Sequence, residues 1–268
     1  MPRPGATEQE KTMCDESIRF VDDAVMEGMT SVTALLNAKK AGVNDREIRA
    51  VLFDKQRQEK KAGELQYLRT VCEQQHINFM LYDPDFIAHV ASGNTHGGIV
   101  ALCGRRTYPE PTAETLPQKG FLCLLDGIED PYNFGYALRS LYAAGCDGIL
   151  LGERNWMTAA GVVARASAGA SELLPMFKGP FKKAVTAARS IGYRVAAAGI
   201  RNAVSMYDAD LSKPLLLVIG GEKRGISSSV SSLCDLTVRV DYGRSFRGSL
   251  STASAAAVLG FEVLHQNS

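Results

Sequence analysis

Three polar, glycine-bearing segments interrupt the apolar second half of the chain, and their side chains have the means to do chemistry. The first is Asp126-Gly127-Ile128-Glu129-Asp130-Pro131-Tyr132-Asn133-Phe134-Gly135, followed by Arg139. It offers carboxylates, an amide and a guanidinium where a strand-to-helix connection needs only a short turn. The second is Gly220-Gly221-Glu222-Lys223-Arg224-Gly225-Ile226-Ser227. Its paired glycines allow a backbone to come close to a ligand or to take positive φ. Ile226 stands where a phosphate loop requires lysine, so a nucleoside triphosphate would lack its main charge partner. No G-x-G-x-x-G occurs either, which removes the dinucleotide-binding signature. The third runs from Tyr242 to Ala257, with Arg244, Arg247, Gly243 and Gly248 just ahead of an Ala/Ser-rich stretch. Two cations beside a helix start suit an anionic ligand. A plain glycine turn and a well-capped alanine helix account for the second and third segments equally well at this level.

The elements that must position these groups can be read from hydrophobic pattern. Phe121 to Leu125 is a continuous apolar run ended by Asp-Gly, as expected of a buried strand. Asn133 then falls at an expected N-cap with Pro131 just upstream, and the helix carrying Arg139 stops at Gly145. A strand from Gly148 to Leu151 completes a βαβ unit whose polar turn lies at the carboxyl end of a strand, where open α/β sheets bind ligands. Further strands are expected at 193–198, 214–219 and 236–240, with a last helix from Ser251 to His265 capped by Ser249 or Ser251. The Ala/Ser face of that helix permits close packing on another backbone. This half reads as a mostly parallel sheet with helices on both faces.

The first half has its own pattern. Residues 1–14 read as a loose tail and 15–104 as a smaller α/β domain, with strands at Ile48–Phe53, Phe79–Tyr82 and Ile99–Cys103 and a helix from Glu59 to Gln75. Residues 105–119 hold three prolines and little periodicity, which marks a linker before a second domain at 120–268. Lys55, Arg57, Lys60 and Lys61 cluster at a helix start, and Ser92 to Gly98 forms a polar loop around His96. A solvated charge run and a structural histidine are the simpler readings of both.

Composition sets the class. Hydrophobic residues at 46% and charged ones at 22% are those of a soluble globular protein, and 268 residues suit two domains. Residues 1–118 carry 14 Lys and Arg against 17 Asp and Glu, leaving the remainder with 16 against 12; the basic second half is compatible with an anionic partner. None of the six cysteines forms a C-x-x-C pair, so they read as reduced thiols of a cytoplasmic protein. The four histidines have no ligand spacing, so no metal is expected. The charged first 16 residues lack a signal pattern and no apolar run reaches membrane length, so no membrane partner is expected.

Taken together, the three segments resemble the motifs of the SPOUT-class RNA ribose methyltransferases of the SpoU/TrmH family. Asn133, Gly135 and Arg139 match the first motif, Gly220, Glu222 and Gly225 the second, and Ser249-Leu250 begins the third. Ala164 to Glu172 is similar to the segment between motifs one and two, and residues 15–104 to the small RNA-binding domain of many members. The likeness spans about 121–266, with the motifs in the family's order. It implies a deep trefoil knot, a homodimer, S-adenosylmethionine as cofactor and a structured RNA substrate, rRNA ahead of tRNA, with no DNA partner. By position, Gly220, Val240 and Leu250 would line the cofactor pocket, with Ala198 and Gly199 beside them. Arg139 would position and stabilise a ribose 2′-hydroxyl, Asn133 would orient Arg139 or the substrate, Glu222 would fix the arginine or a loop, and Ser249 would sit beside the ribose. The chain departs from the family in having Ser251 where most members have asparagine. That departure motivates an alternative, a non-catalytic RNA-binding or ribosome-assembly factor on the same scaffold.

Overall fold

A computed structural model describes residues 24–152, 159–222 and 224–268. The tail expected at 1–14 lies outside them. Two sheets organise the chain.

The first half builds a four-stranded sheet from β1 (Ala24–Glu27), β2 (Ile48–Asp54), β3 (Asn78–Tyr82) and β4 (Ile99–Cys103), in the order β1-β4-β2-β3. β4 runs antiparallel to both neighbours, and β2 is parallel to β3. Helices α1 (Gly28–Lys40), α2 (Ala62–Gln74) and α3 (Pro84–Val90) accompany it. The helix expected from Glu59 starts later because Asp54 accepts a hydrogen bond from the Gln56 amide and turns Lys55–Arg57 into a 3-10 step.

The second half builds seven strands: β5 (Phe121–Asp126), β6 (Gly148–Leu151), β7 (Met176–Lys178), β8 (Arg194–Ala198), β9 (Val204–Ser205), β10 (Leu215–Gly220) and β11 (Leu236–Arg239). Their order is β7-β6-β5-β10-β8-β11-β9, and every pairing is parallel. Continuous apolar sequence is what a parallel strand covered on both faces requires. Along β5 the residues alternate accordingly. Phe121, Cys123 and Leu125 pack with Leu138 and Leu141 of α4 (Pro131–Ala143) and with Leu259 and Val263 of α9 (Thr252–Gln266). Leu122 and Leu124 pack on the opposite face with Ala184 and Val185 of α7 (Phe181–Ser190) and Val230 of α8 (Ser228–Ser231). Helices therefore lie on both faces. α9 approaches α4 closely, because a Cβ added at Gly260 would stand 3.3 Å from the Ala144 side chain. That is the close packing expected of an Ala-rich helix.

Two short helices, α5 (Ala160–Ala166) and α6 (Ala170–Leu173), join the sheets. Ala160 and Ala164 belong to the core of the four-stranded sheet. Glu172, buried, accepts hydrogen bonds from Arg46 Nε at 2.7 Å and Asn44 Nδ2 at 3.1 Å. The irregular segment 105–119 is pinned rather than free. Its buried Arg106 donates to the carbonyls of Ser171 and Leu174 at 2.6 and 2.7 Å, and Lys178 N donates to Pro109 O at 3.0 Å. Desolvation of buried charges is tolerated here because each guanidinium meets fixed oxygen acceptors. Among the described residues, no helix is long and apolar enough to cross a membrane.

Candidate active site at the strand switch point

Chain order reverses across the sheet between β5 and β10. From β5 the chain proceeds through β6 and β7 to one edge, while β8, β9 and β11 lie beyond β10. The carboxyl ends of the two strands meet in register, Gly220 opposite Asp126. Ligand crevices of open α/β sheets form at such switch points.

The loop after β10 is fastened to the end of β5. Gly221 N donates to Asp126 O at 2.6 Å, and the buried Asp126 carboxylate accepts from Ser227 N at 2.8 Å. Gly225, at φ +62°, turns the loop back so that its N–H donates to Gly221 O at 2.9 Å. A Cβ on Gly221 would overlap the Gly127 carbonyl, and one on Gly220 would overlap Gly225. The paired glycines are thus required by contact with the chain itself. Sequence pattern had offered close approach of a ligand as their use, and the tertiary structure supplies a nearer cause.

The expected N-cap needs correction. Asp130, not Asn133, caps α4: its carboxylate accepts from Asn133 N at 2.7 Å, and Pro131 occupies the first helical position. Proline at the first turn and an aspartate before it form a complete start signal, so Asn133 sits inside the helix with its side chain released. Its Nδ2 donates to Glu222 Oε1 at 3.0 Å, joining the first and second motifs. Arg139 lies farther along α4, exposed, with no ion pair among the described residues. Gly135 serves packing, since a Cβ there would stand 3.0 Å from Val163 O and press on Ala166 of α5.

In the third segment Ser251, not Ser249, caps α9. Its Oγ accepts from Ser254 N at 3.1 Å. Serine and asparagine are about equally good N-caps, so the departure from the family at this position leaves the helix start intact. Thr252, buried, donates its hydroxyl to Gly220 O at 3.0 Å and ties the start of α9 to the end of β10. Leu250 N donates to the Tyr242 hydroxyl at 3.2 Å. Ser249 is exposed, and no hydrogen bond among the described residues joins it to Asn133, Arg139 or Glu222.

Four of the expected cofactor residues, Ala198, Gly199, Gly220 and Val240, lie at the carboxyl ends of neighbouring strands. Ala198 ends β8 opposite Val238, Gly199 N donates to Val238 O at 2.9 Å, Val240 follows β11, and Gly220 ends β10. Ala198, Gly199, Gly220, Val240 and Leu250 are each half-buried. These strand ends therefore present apolar side chains beside peptide groups of glycine. Asp126 and Asp130 belong to the polar segment the sequence marks, but their partners, and the role of Thr252, are not legible in it. Asp-Gly after an apolar strand was the available sign for the first, but it marks a turn and says nothing of which amide the carboxylate holds. Among the described residues no cluster of metal-ligating side chains occurs.

An all-parallel sheet covered on both faces, with glycine-bearing loops fastened together at its switch point, defines an open α/β architecture, the class that binds ligands at its strand ends. A profile of the SpoU rRNA Methylase family matches residues 120–261. A Staphylococcus aureus (strain COL) protein assigned to the TrmH family tRNA/rRNA methyltransferases is 31% identical over 188 residues, covering 68% of this chain and 74% of its own length. The chain belongs to the SpoU/TrmH RNA methyltransferase family. Two solved structures share its fold. An RNA methyltransferase assigned to the TrmH family from Porphyromonas gingivalis superposes with a TM-score of 0.72 at 22% identity, covering 97% of this chain and 98% of that one. The SpoU methyltransferase AviRb from Streptomyces viridochromogenes, in complex with AdoMet, gives 0.72 at 24% identity, covering 97% and 94%.

Proposed function

We propose that this protein transfers a methyl group from S-adenosylmethionine to the 2′-hydroxyl of a ribose in structured RNA, rRNA before tRNA, as a cytoplasmic homodimer. The observation that carries the reading is the Asn133–Glu222 hydrogen bond at the switch point, which gathers the first two motifs into one wall and leaves Arg139 exposed on the same helix. The chain's residues fit the cofactor in kind. Ala198, Val240 and Leu250 offer apolar contact for an adenosine, and the peptide groups at Gly199 and Gly220 offer hydrogen bonds to its polar edges. When bound, the sulfonium supplies an already activated methyl group.

What remains for the protein is alignment and the hydroxyl proton. Holding an attacking oxygen in line is worth about 7–11 kcal/mol in favourable cases. Arg139 would donate hydrogen bonds to the ribose oxygen or a neighbouring phosphate and stabilise charge that develops during transfer. A guanidinium is a poor base, so the hydroxyl proton would pass to a phosphate oxygen or water beside Arg139. Asn133 and Glu222 hold the wall rigid, and Ser249, on the exposed third segment, would meet the ribose. The tie from Thr252 to Gly220 and the turn at Gly225 support a reading in which 220–227 and 242–251 are the threaded segments of a trefoil knot. Residues 15–104 would form the RNA-gripping domain and 120–268 the methyltransferase domain.

The test uses the full-length protein, tritiated S-adenosylmethionine and total cellular RNA. Expected are incorporation and a gap in the alkaline hydrolysis ladder at the modified nucleotide, since a 2′-O-methyl group blocks strand cleavage there. Arg139→Ala should lose the activity while keeping cofactor affinity. Methylation that leaves the alkaline ladder unbroken would place the group on a base and overturn the ribose assignment.

A further inference from the structure

Between β11 and α9 the chain makes a loop whose residues from Asp241 to Ser249 are all exposed, yet which is ordered from within. The rings of Tyr242 and Phe246 meet at 5.9 Å between centroids, tilted by 56°. The Tyr242 hydroxyl accepts from Leu250 N at 3.2 Å and closes the loop. Phe246 lies over Gly248, where a Cβ would come within 2.5 Å of the ring. The inner side of Phe246 is thus occupied by the loop, while 60% of the residue remains exposed to solvent.

The charged side chains next to that ring in sequence are both cationic. Arg244 and Arg247 flank Phe246, both exposed and without an ion pair among the described residues. Asp241, the nearest carboxylate in sequence, is already engaged by the Ser205 hydroxyl and by Arg239 Nε at 2.8 Å. Arg201 and Arg224, on the loops after β8 and β10, add two exposed cations at the same end of the strands. An apolar ring with a free face between unpaired guanidinium groups is what an unstacked nucleobase and its flanking phosphates require. A duplex does not use all of it, because it keeps its bases stacked.

Resting on the reading of the protein as an RNA methyltransferase, we propose that Tyr242–Leu250 is a base-stacking platform. Phe246 stacks an unpaired nucleobase and Arg244 and Arg247 hold the adjoining phosphates, so the substrate presents its target in a loop, bulge or single strand. Because Ser249 and Leu250 lie in the same loop, the stacked nucleotide is the target or its neighbour.

The probe is a fluorescein-labelled oligouridylate, compared with an RNA duplex of equal length, in fluorescence anisotropy titrations against the full chain. Oligouridylate should bind the wild type more tightly than the duplex. Phe246→Ala should weaken oligouridylate binding by about 5- to 100-fold and Phe246→Trp should restore it. Arg244→Gln and Arg247→Gln should each flatten the dependence of log affinity on log salt by about 0.7. Phe246 is exposed, so its removal should leave the thermal melt unaltered, and Phe246→Trp, which keeps an aromatic ring in the loop, should leave S-adenosylmethionine calorimetry unaltered. Equal oligouridylate affinity for Phe246→Ala and wild type, no binding by either, or duplex preferred to single strand would each overturn the platform. So would a change from dimer to monomer in sedimentation for Phe246→Ala, which would make the loop an interface between copies. Absence of methyl transfer with Phe246-dependent binding intact would instead overturn the proposed reaction and leave the platform standing.

Discussion

Asn133 and Glu222 are 89 residues apart in sequence, and the amide of the first donates to the carboxylate of the second at 3.0 Å. Asn133 is not the cap that its neighbours suggest. The pairing of Asn133 with Glu222 converts two weak sequence motifs into one surface. A double-mutant cycle with Asn133→Ala and Glu222→Ala should show a coupling on the order of 1 kcal/mol in transfer activity, modest because the pair is reached by solvent. Additive losses in kcat/KM would show that the bond has no part in shaping the site.

Asp126 should matter through the loop it holds. Its carboxylate is buried and accepts from Ser227 N. Asp126→Ala leaves that amide unpaired and should cost about 1–3 kcal/mol of stability. Because the same loop carries Gly220, calorimetry should also show weaker S-adenosylmethionine binding. A variant that melts as the wild type does would remove the tether from the account.

Gly135→Ala tests the crossing of α4 and α5. The added methyl would press on Ala166 and on the Val163 carbonyl, which is backbone and cannot swing aside. Overpacking of this kind costs about 1–3 kcal/mol, so thermal unfolding by circular dichroism should show a clearly lowered midpoint. Gain of stability, as expected for Gly→Ala in an uncrowded helix, would contradict the close crossing.

Alkaline pH should destabilise the protein through its buried thiols. Burial pushes Cys146 up to about 12 and raises Cys123 well above its ordinary value, with each other's proximity adding to the effect on Cys123. Cys72 is pushed up to about 11 by the same cause. A thiol unfolds to a pKa of about 8.5, so stability from these groups is complete below that pH and is lost as pH rises toward the folded values. Urea midpoints should therefore fall between about pH 8.5 and 11, and less steeply in Cys146→Ala. Ellman's reagent should leave these thiols unlabelled at neutral pH in the folded protein.

The legible part of the fold was the part written in local pattern. Leu215 to Ile219 is apolar at every position, which only a strand covered on both faces accommodates, and it became the central β10. The βαβ unit from Phe121 to Leu151 was equally plain, and so was Ser251 as one of two candidate caps. The start of α4 was misplaced because asparagine and aspartate are interchangeable as cap signals, and only the hydrogen bond from Asn133 N shows that Asp130 accepts it.

The sequence by itself determined most of the longer strands, the order of three motifs and, through their resemblance, the family, but not the short strands β1, β7 and β9. What it determined depends on residues near one another in the chain, where periodicity, capping and turn chemistry act. The tertiary structure alone decided the strand order that sets Gly220 beside Asp126, the release of Asn133 to Glu222, and the tie of Thr252 to Gly220. These join residues from about 30 to nearly 100 positions apart. They form only because burial of both sheet faces first brings the strand ends together, and no local propensity encodes which ends will meet.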